Sequence, residues 1–368
     1  MEYRRKCLQM VKRNGVCKMK YYDIRDDLKA FPDAWCFLIY SERGPGKTYS
    51  TLRHGVEDNK AQLFLKRTIE DIDMLCAKGK KGTTFDISPF KPLNRDFGWN
   101  IKPYKVGKGI AGFYHFNEEG EPFGAPIGYA GALTAAKDIK GFDMSEVDEL
   151  VFDEFIPKKY ERVNRNEGDA LLDIYMTLRR DRIERGREDL KLICLANATQ
   201  INNPTMQTLD VIDDVTQLEL TGQEYLYLEE RGILIHKIPA RNVSEDKKSG
   251  IEKAMQGTAW AEMSFGGNFA YDDFSAVKHQ RLKGYRPIVS YIYKKKQVFI
   301  YQKDNYYYST TAKADKVPVF NLARENEQKR FFNEYVIDLR EACIEDRMQF
   351  TAYTMYDLIV NYKKIFKI

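Results

Sequence analysis

Residues that build metal centres and disulfide frameworks are sparse in this chain. Its 368 residues include 4 histidines and 6 cysteines. The cysteines at 7, 17, 36, 76, 194 and 343 form no C-x-x-C pair, and His54, His115, His236 and His279 form no H-E-x-x-H. That argues against a zinc centre and for reduced thiols in a cytosolic protein. Long apolar runs are missing too, none approaching the ~18–20 residues that cross a bilayer. The start, Met1-Glu-Tyr-Arg-Arg-Lys6, is basic with no apolar stretch behind it, so neither a secretory signal nor a membrane partner is expected. No internal repeat is present.

What is there is ordinary for a folded protein, 43% hydrophobic and 31% charged. The length exceeds a typical single core and implies two domains. The net charge of +5 is uneven: residues 278–368 carry 18 Lys and Arg against 10 Asp and Glu, an excess of +8, and the remainder sums to −3. A basic final third suits a polyanion-facing surface. A solvated charged face fits the charge equally well.

The most informative stretch is Trp35-Cys-Phe-Leu-Ile-Tyr40 followed by Ser41-Glu-Arg-Gly-Pro-Gly-Lys-Thr48. It reads as a buried strand running into a phosphate-binding loop of the form G-x-x-x-x-G-K-[ST], with Ser41 in place of the first glycine. Gly44 and Gly46 let the backbone curl so that its N–H groups face inward as an anion nest. The helix that follows adds its positive end. Lys47 would reach the β- and γ-phosphates, and the Thr48 hydroxyl would ligate Mg²⁺. The competing reading is a Gly-Pro-Gly turn that happens to carry Lys and Thr.

Further along, Ala61 to Arg67 reads as a second strand, its Lys66 and Arg67 being either a solvated strand end or a second basic group near the phosphates. Residues 76–126 read as an insertion with short hairpins. Ile127 to Leu133 and Leu190 to Asn197 are strand-like, and residues 166–182 have helical spacing. Val215 to Leu220 and Ile233 to Ile238 close a first domain of residues 1–240. Alternating strands and helices imply an α/β parallel sheet with helices on both faces. Residues 241–277, with a Gly266-Gly267 break, read as a helical linker. Residues 278–368 read as a smaller α+β domain: a three-strand meander over 287–310, then helices over 325–348 and 354–366.

Leu150-Val-Phe-Asp-Glu154 supplies what such a loop needs on a neighbouring strand. Asp153 would face the Mg²⁺ shell and Glu154 would polarise the attacking water as general base. Asn197 is placed to sense the γ-phosphate or hold that water; a turn-capping Asn is the alternative. The run Leu178 to Arg187 holds five arginines. They are either a solvated helix end or the source of an arginine finger, with Arg179 and Arg180 the candidates.

Together these residues resemble the genome-packaging (DNA encapsidation) ATPases of small protein-primed podophages. The matching pieces are R-G-x-G-K-T-Y at Arg43 to Tyr49, F-D-E-F-I-P at Phe152 to Pro157 and C-L-A-N-A-T at Cys194 to Thr199. Motifs support the resemblance over residues 33–240; beyond that it rests on order and length. It implies a P-loop NTPase of the additional-strand, catalytic-glutamate type, and an RNase H-like, vestigial nuclease C-terminal domain without nuclease activity. Its expected function is ATP-driven translocation of double-stranded viral DNA into a procapsid, with ATP and Mg²⁺ as cofactors. Its partners would be a portal protein and procapsid and a homomeric ring of five subunits, while a structural RNA joining motor to portal stays open. Its place would be the host cell cytoplasm, transiently on the procapsid. Nucleotide would be bound by Ser41, Arg43, Gly44, Gly46, Lys47, Thr48, Tyr49 and Lys140, metal by Thr48 and Asp153. Glu154, Asn197 and a trans-acting Arg179 or Arg180 would be catalytic, and Lys137 or Lys140 would be the further basic residue the family uses for exchange or trans contact. Two other readings stay open: another ring-forming P-loop translocase or helicase, and a non-catalytic capsid or portal adaptor that only binds nucleotide.

Overall fold

The computed structural model describes residues 21–76, 87–139, 141, 142, 144–158, 161, 163–180, 182–240, 249–269 and 272–368. The chain divides into two compact units, Met1–Leu209 with Gln223–Tyr271, and Asp210–Gly222 with Asp272–Ile368.

The first unit is built on a nine-stranded sheet, formed by β1 (Cys36–Ser41), β2 (Gln62–Lys66), β3 (Ile101–Gly107), β4 (Ile110–Phe116), β5 (Pro122–Ala132), β6 (Glu149–Asp153), β7 (Lys191–Asn197), β8 (Tyr225–Leu228) and β9 (Ile233–Lys237). Their spatial order is β3-β4-β5-β2-β6-β7-β1-β9-β8. The six from β5 to β9 in that order pair in parallel. Antiparallel β3 and β4 extend one side and β8 the other. All six residues of β1 are buried, as a strand covered on both faces requires. Burying side chains such as Phe37, Leu38 and Ile39 is worth about 1.5–3 kcal/mol each.

Because the central strands are parallel, their C-terminal ends lie along one edge. Read across that edge, adjacent strands end in Lys66, Asp153, Asn197 and Ser41. Neighbouring strands are ~4.8 Å apart, so residues far apart in sequence form one row. Open α/β sheets bind ligands at this edge.

The region 76–126 forms the expected short hairpins, β3 with β4 and β4 with β5. Its described part holds a helix, Lys91–Phe97, and strands that continue the large sheet. Val215 to Leu220 lie in a helix, Ile212–Thr221, which belongs to the second unit and not to the first. The described residues 249–269, expected as a linker, belong to the first unit.

The second unit has a five-stranded sheet of β10 (Arg286–Tyr293), β11 (Lys296–Lys303), β12 (Tyr306–Thr310), β13 (Val319–Asn321) and β14 (Met348–Phe350), in the order β13-β10-β11-β12-β14. The expected meander is β10 to β12, all antiparallel. The expected helix over 325–348 gives way before β14, and a helix at Tyr353–Val360 follows. Asp213 anchors the helix Ile212–Thr221 in this unit. Its carboxylate accepts hydrogen bonds from the Thr354 N–H and hydroxyl, at 2.9 and 2.7 Å, in the first turn of Tyr353–Val360, where a helix favours negative charge.

Candidate active site

The loop after β1 turns on two glycines with left-handed backbones, Gly44 (φ 90°) and Gly46 (φ 97°). A side chain at either would strain the turn. Gly46 caps the helix Lys47–Glu57, which places the Lys47 and Thr48 side chains at the helix's positive end.

The loop is braced from outside. Tyr22 N–H donates to the Pro45 carbonyl at 3.0 Å, and Arg43 N–H donates to the Ser264 carbonyl at 3.2 Å. Gly267 (φ 65°) packs so closely that a Cβ there would lie 2.7 Å from the Glu42 nitrogen. The Gly266-Gly267 break is therefore a close backbone approach to the loop. Ser41 is more than a tolerated replacement for glycine. Fully buried, it accepts a 2.5 Å hydrogen bond from Lys47 Nζ and donates to the Glu42 carbonyl at 2.6 Å.

Lys47 Nζ also donates to the Glu42 carbonyl at 3.0 Å and to Asn197 Oδ1 at 3.2 Å. The ends of β1 and β7 and the start of the helix thus meet at one ammonium. The Thr48 hydroxyl donates to Asp153 Oδ1 at 3.0 Å, while Asp153 Oδ2 takes Lys66 Nζ at 2.7 Å. Glu154 departs from the strand with φ 61°. Its carboxylate lies 3.9 Å from Lys66 and 3.7 Å from Lys158. Among the described residues no group of three or more His, Cys, Asp and Glu gathers as a metal cage. The Thr48 hydroxyl with one Asp153 oxygen suits instead Mg²⁺, which keeps waters and phosphate oxygens for most of its ligands.

Burial pushes Lys47 down to about 8, against the opposing pull of Asp153 and Glu42. A polyphosphate would hold Lys47 charged, so above pH about 8 binding must take up a proton. The affinity of a nucleoside triphosphate is therefore expected to be level between about pH 7 and 8, where the terminal phosphate is ionised, and to fall up to about tenfold per pH unit above that. A fluorescent-nucleotide titration across that range checks this; an affinity unchanged to about pH 9.5 would contradict it. Lys66 shifts the other way. Although burial opposes it, the charge and hydrogen bond of Asp153 raise its pKa.

Tyr49 donates its hydroxyl to Asp96 at 3.0 Å. Arg43 and Lys137 are exposed, and Lys140 lies outside the described residues. Arg179 is bound to Asp189 in its own chain, at 2.8 and 3.3 Å. Asp189 precedes β7, whose far end carries Asn197. Seven strand residues put about 20 Å between the Asp189 end of β7 and the phosphate loop. Arg179 is therefore out of reach of its own Lys47. Arg182, from the same run, is buried and holds the Glu188 and Val147 carbonyls and the Asp148 carboxylate, a structural task. Arg67, expected as a solvated strand end or a second basic group near the phosphates, turns instead to carboxylates and carbonyls. It sits behind Glu154 and pairs with Glu167, a contact across 100 residues that no local pattern signals.

The chain is similar to known proteins. The DNA packaging protein of Bacillus phage B103 is 29% identical over 189 residues, 49% of this chain and 54% of the relative. That of Bacillus phage phi29 is 28% identical over 173 residues, 46% and 48% of the two chains. The chain thus spans about half the length of the curated relatives it matches. Two solved structures share the fold over nearly the whole chain. A chain of the bacteriophage Phi-29 viral genome packaging motor assembly aligns with a TM-score of 0.61 at 18% identity, covering 94% of this chain and 99% of its own. The Phi-28 gp11 DNA packaging motor aligns with a TM-score of 0.56 at 19% identity, covering 95% and 99%. The profile of the podovirus DNA encapsidation proteins (Gp16) matches residues 123–348, a span that includes Asp153, Glu154 and Asn197. With well over half of its length matched, the chain belongs to the podovirus DNA encapsidation protein (Gp16) family.

Proposed function

We propose that this protein is the ATPase of a genome-packaging motor, driving double-stranded viral DNA into a procapsid. The observation that carries the reading is the row of strand ends. Lys47 with Ser41 and Asn197, and Thr48 with Asp153, converge on one edge beside Glu154. The position of β7 between β1 and β6 supports the additional-strand, catalytic-glutamate subtype.

In this reading the loop amides and Lys47 bind the triphosphate. Thr48 and Asp153 would hold Mg²⁺, which neutralises phosphate charge when bound. Glu154 takes a proton from the attacking water, and Asn197 orients that water or the γ-phosphate. Arg179 or Arg180 acts on a neighbouring subunit in a head-to-tail ring, taken as a pentamer. The distance of Arg179 from its own loop supports action in trans. Contacts to DNA are to the backbone, so binding is non-specific and weakens steeply with salt.

The second unit is read as a former nuclease fold that docks to a portal, procapsid or structural RNA. None of its five strands carries an Asp or Glu, whereas two-metal nuclease chemistry needs carboxylates gathered around the ions. The motor would work in the host cytoplasm, attached to the procapsid. Among the described residues no helix is long and apolar enough to cross a membrane.

Phosphate release by the purified chain, with and without procapsids and DNA, tests the proposal. Stimulation by procapsids is expected. Equal stimulation by DNA alone would favour a helicase or other translocase, and no hydrolysis would favour a nucleotide-binding adaptor.

A further inference from the structure

Arg67, beyond the end of β2, turns all three of its guanidinium nitrogens to one place. Nε and Nη2 grip the Glu167 carboxylate at 2.7 and 3.1 Å, and Nη1 donates to Glu161 at 3.0 Å. Nη2 also donates to the main-chain carbonyls of Glu154 at 3.0 Å and Phe155 at 3.4 Å. The guanidinium lies 5.7 Å from the centre of the Phe152 ring. Arg67 is 12% exposed and Glu167 3%. Glu167 stands in the first turn of the 13-residue helix Glu167–Arg179, so the clamp is rooted in a helix end that itself favours negative charge.

Glu154 gives this clamp a purpose. Its φ of 61° is left-handed, a conformation that a non-glycine residue keeps only when its surroundings over-determine it. The peptide that follows it is held from both sides. Arg67 takes its carbonyl, and the Phe155 N–H donates to the Leu195 carbonyl of β7 at 3.2 Å. The Glu154 side chain is 44% exposed, so its aim depends on this backbone.

We propose that Arg67 is a positioning residue that fixes the strained peptide of Glu154 and thereby aims its carboxylate at the attacking water. This rests on the reading of Glu154 as general base. Lysine cannot replace Arg67, because a single ammonium cannot span two carboxylates and a carbonyl as a planar fork does.

The test compares Arg67→Gln and Arg67→Lys in the full chain, in wild-type and Glu154→Gln backgrounds. ATP affinity should stay within about twofold of wild type, and single-turnover hydrolysis should fall about 100-fold, as misplacement of a catalytic group by about 1 Å does. Arg67→Lys should not rescue it. In the Glu154→Gln background neither change should lower the residual rate further, because both act through one group. If Arg67→Gln fails to fold, Arg67→Lys, which keeps the stem and charge, carries the same comparison. Wild-type hydrolysis in the Arg67 variants, with hydrolysis lost in Glu154→Gln, would overturn the role of Arg67 alone. So would an equal further loss in the Glu154→Gln background, the mark of a merely structural residue. Full turnover in Glu154→Gln would overturn the general-base reading itself, and the Arg67 role with it.

Discussion

Glu154→Gln is expected to bind ATP within about twofold of wild type and to lose about 10²–10⁴-fold in turnover, the range general-base catalysis supplies. The substitution keeps the shape of the side chain and removes its capacity to take a proton. Lys47, Thr48 and Asp153, the groups proposed to hold the triphosphate and its Mg²⁺, remain as they are. The lysines beside Glu154, Lys66 at 3.9 Å and Lys158 at 3.7 Å, lose a charge partner. Both pairs are at least partly solvated, so stability should change by no more than about 1 kcal/mol. Equilibrium nucleotide binding and single-turnover hydrolysis separate the two effects. Turnover at the wild-type rate would remove Glu154 from the chemistry.

The second large effect concerns the arginines. The double variant Arg179→Ala, Arg180→Ala should lose about 10³–10⁵-fold in hydrolysis, as removal of an arginine finger does. The cost to folding should be small, since the Arg179–Asp189 pair is more than a third exposed on both sides. The sharper result comes from mixing. Glu154→Gln subunits keep their arginines, and the double-arginine variant keeps its Glu154. Each alone should be inactive. In an equimolar mixed ring about one interface in four joins an intact Glu154 to intact arginines, and single-turnover hydrolysis should recover to about that fraction. No recovery would contradict action in trans.

Much of the candidate site is legible in the sequence, because its parts are local. Six buried residues, two glycines, Lys47 and Thr48 lie in one stretch, and Asp153 with Glu154 ends another apolar run. What was not legible depends on contacts between distant segments. The residues 249–269 look like a linker by composition, yet Ser264 and Gly267 brace the loop from outside. Arg67 and Glu167 lie 100 residues apart. Val215 to Leu220 shows how a short apolar run misleads, since period alone does not separate strand from helix there. Ile212, Val215 and Leu218 are buried while Leu220 is exposed, the spacing of a helix face. In the region 76–126 the strands form on the edge of a sheet whose other members lie elsewhere in the chain. The position of Arg179 was legible as a helix end, but not its pairing with Asp189.

The most direct test of the account is a packaging assay in which procapsids, viral DNA and ATP are combined with this protein and the DNA is then exposed to nuclease. The wild-type chain should leave DNA protected inside the capsid, and Glu154→Gln, although loaded with ATP, should protect none. Equal protection by both proteins, or none with the wild type under conditions where it hydrolyses ATP, would contradict the claim that hydrolysis at Glu154 drives DNA into the procapsid.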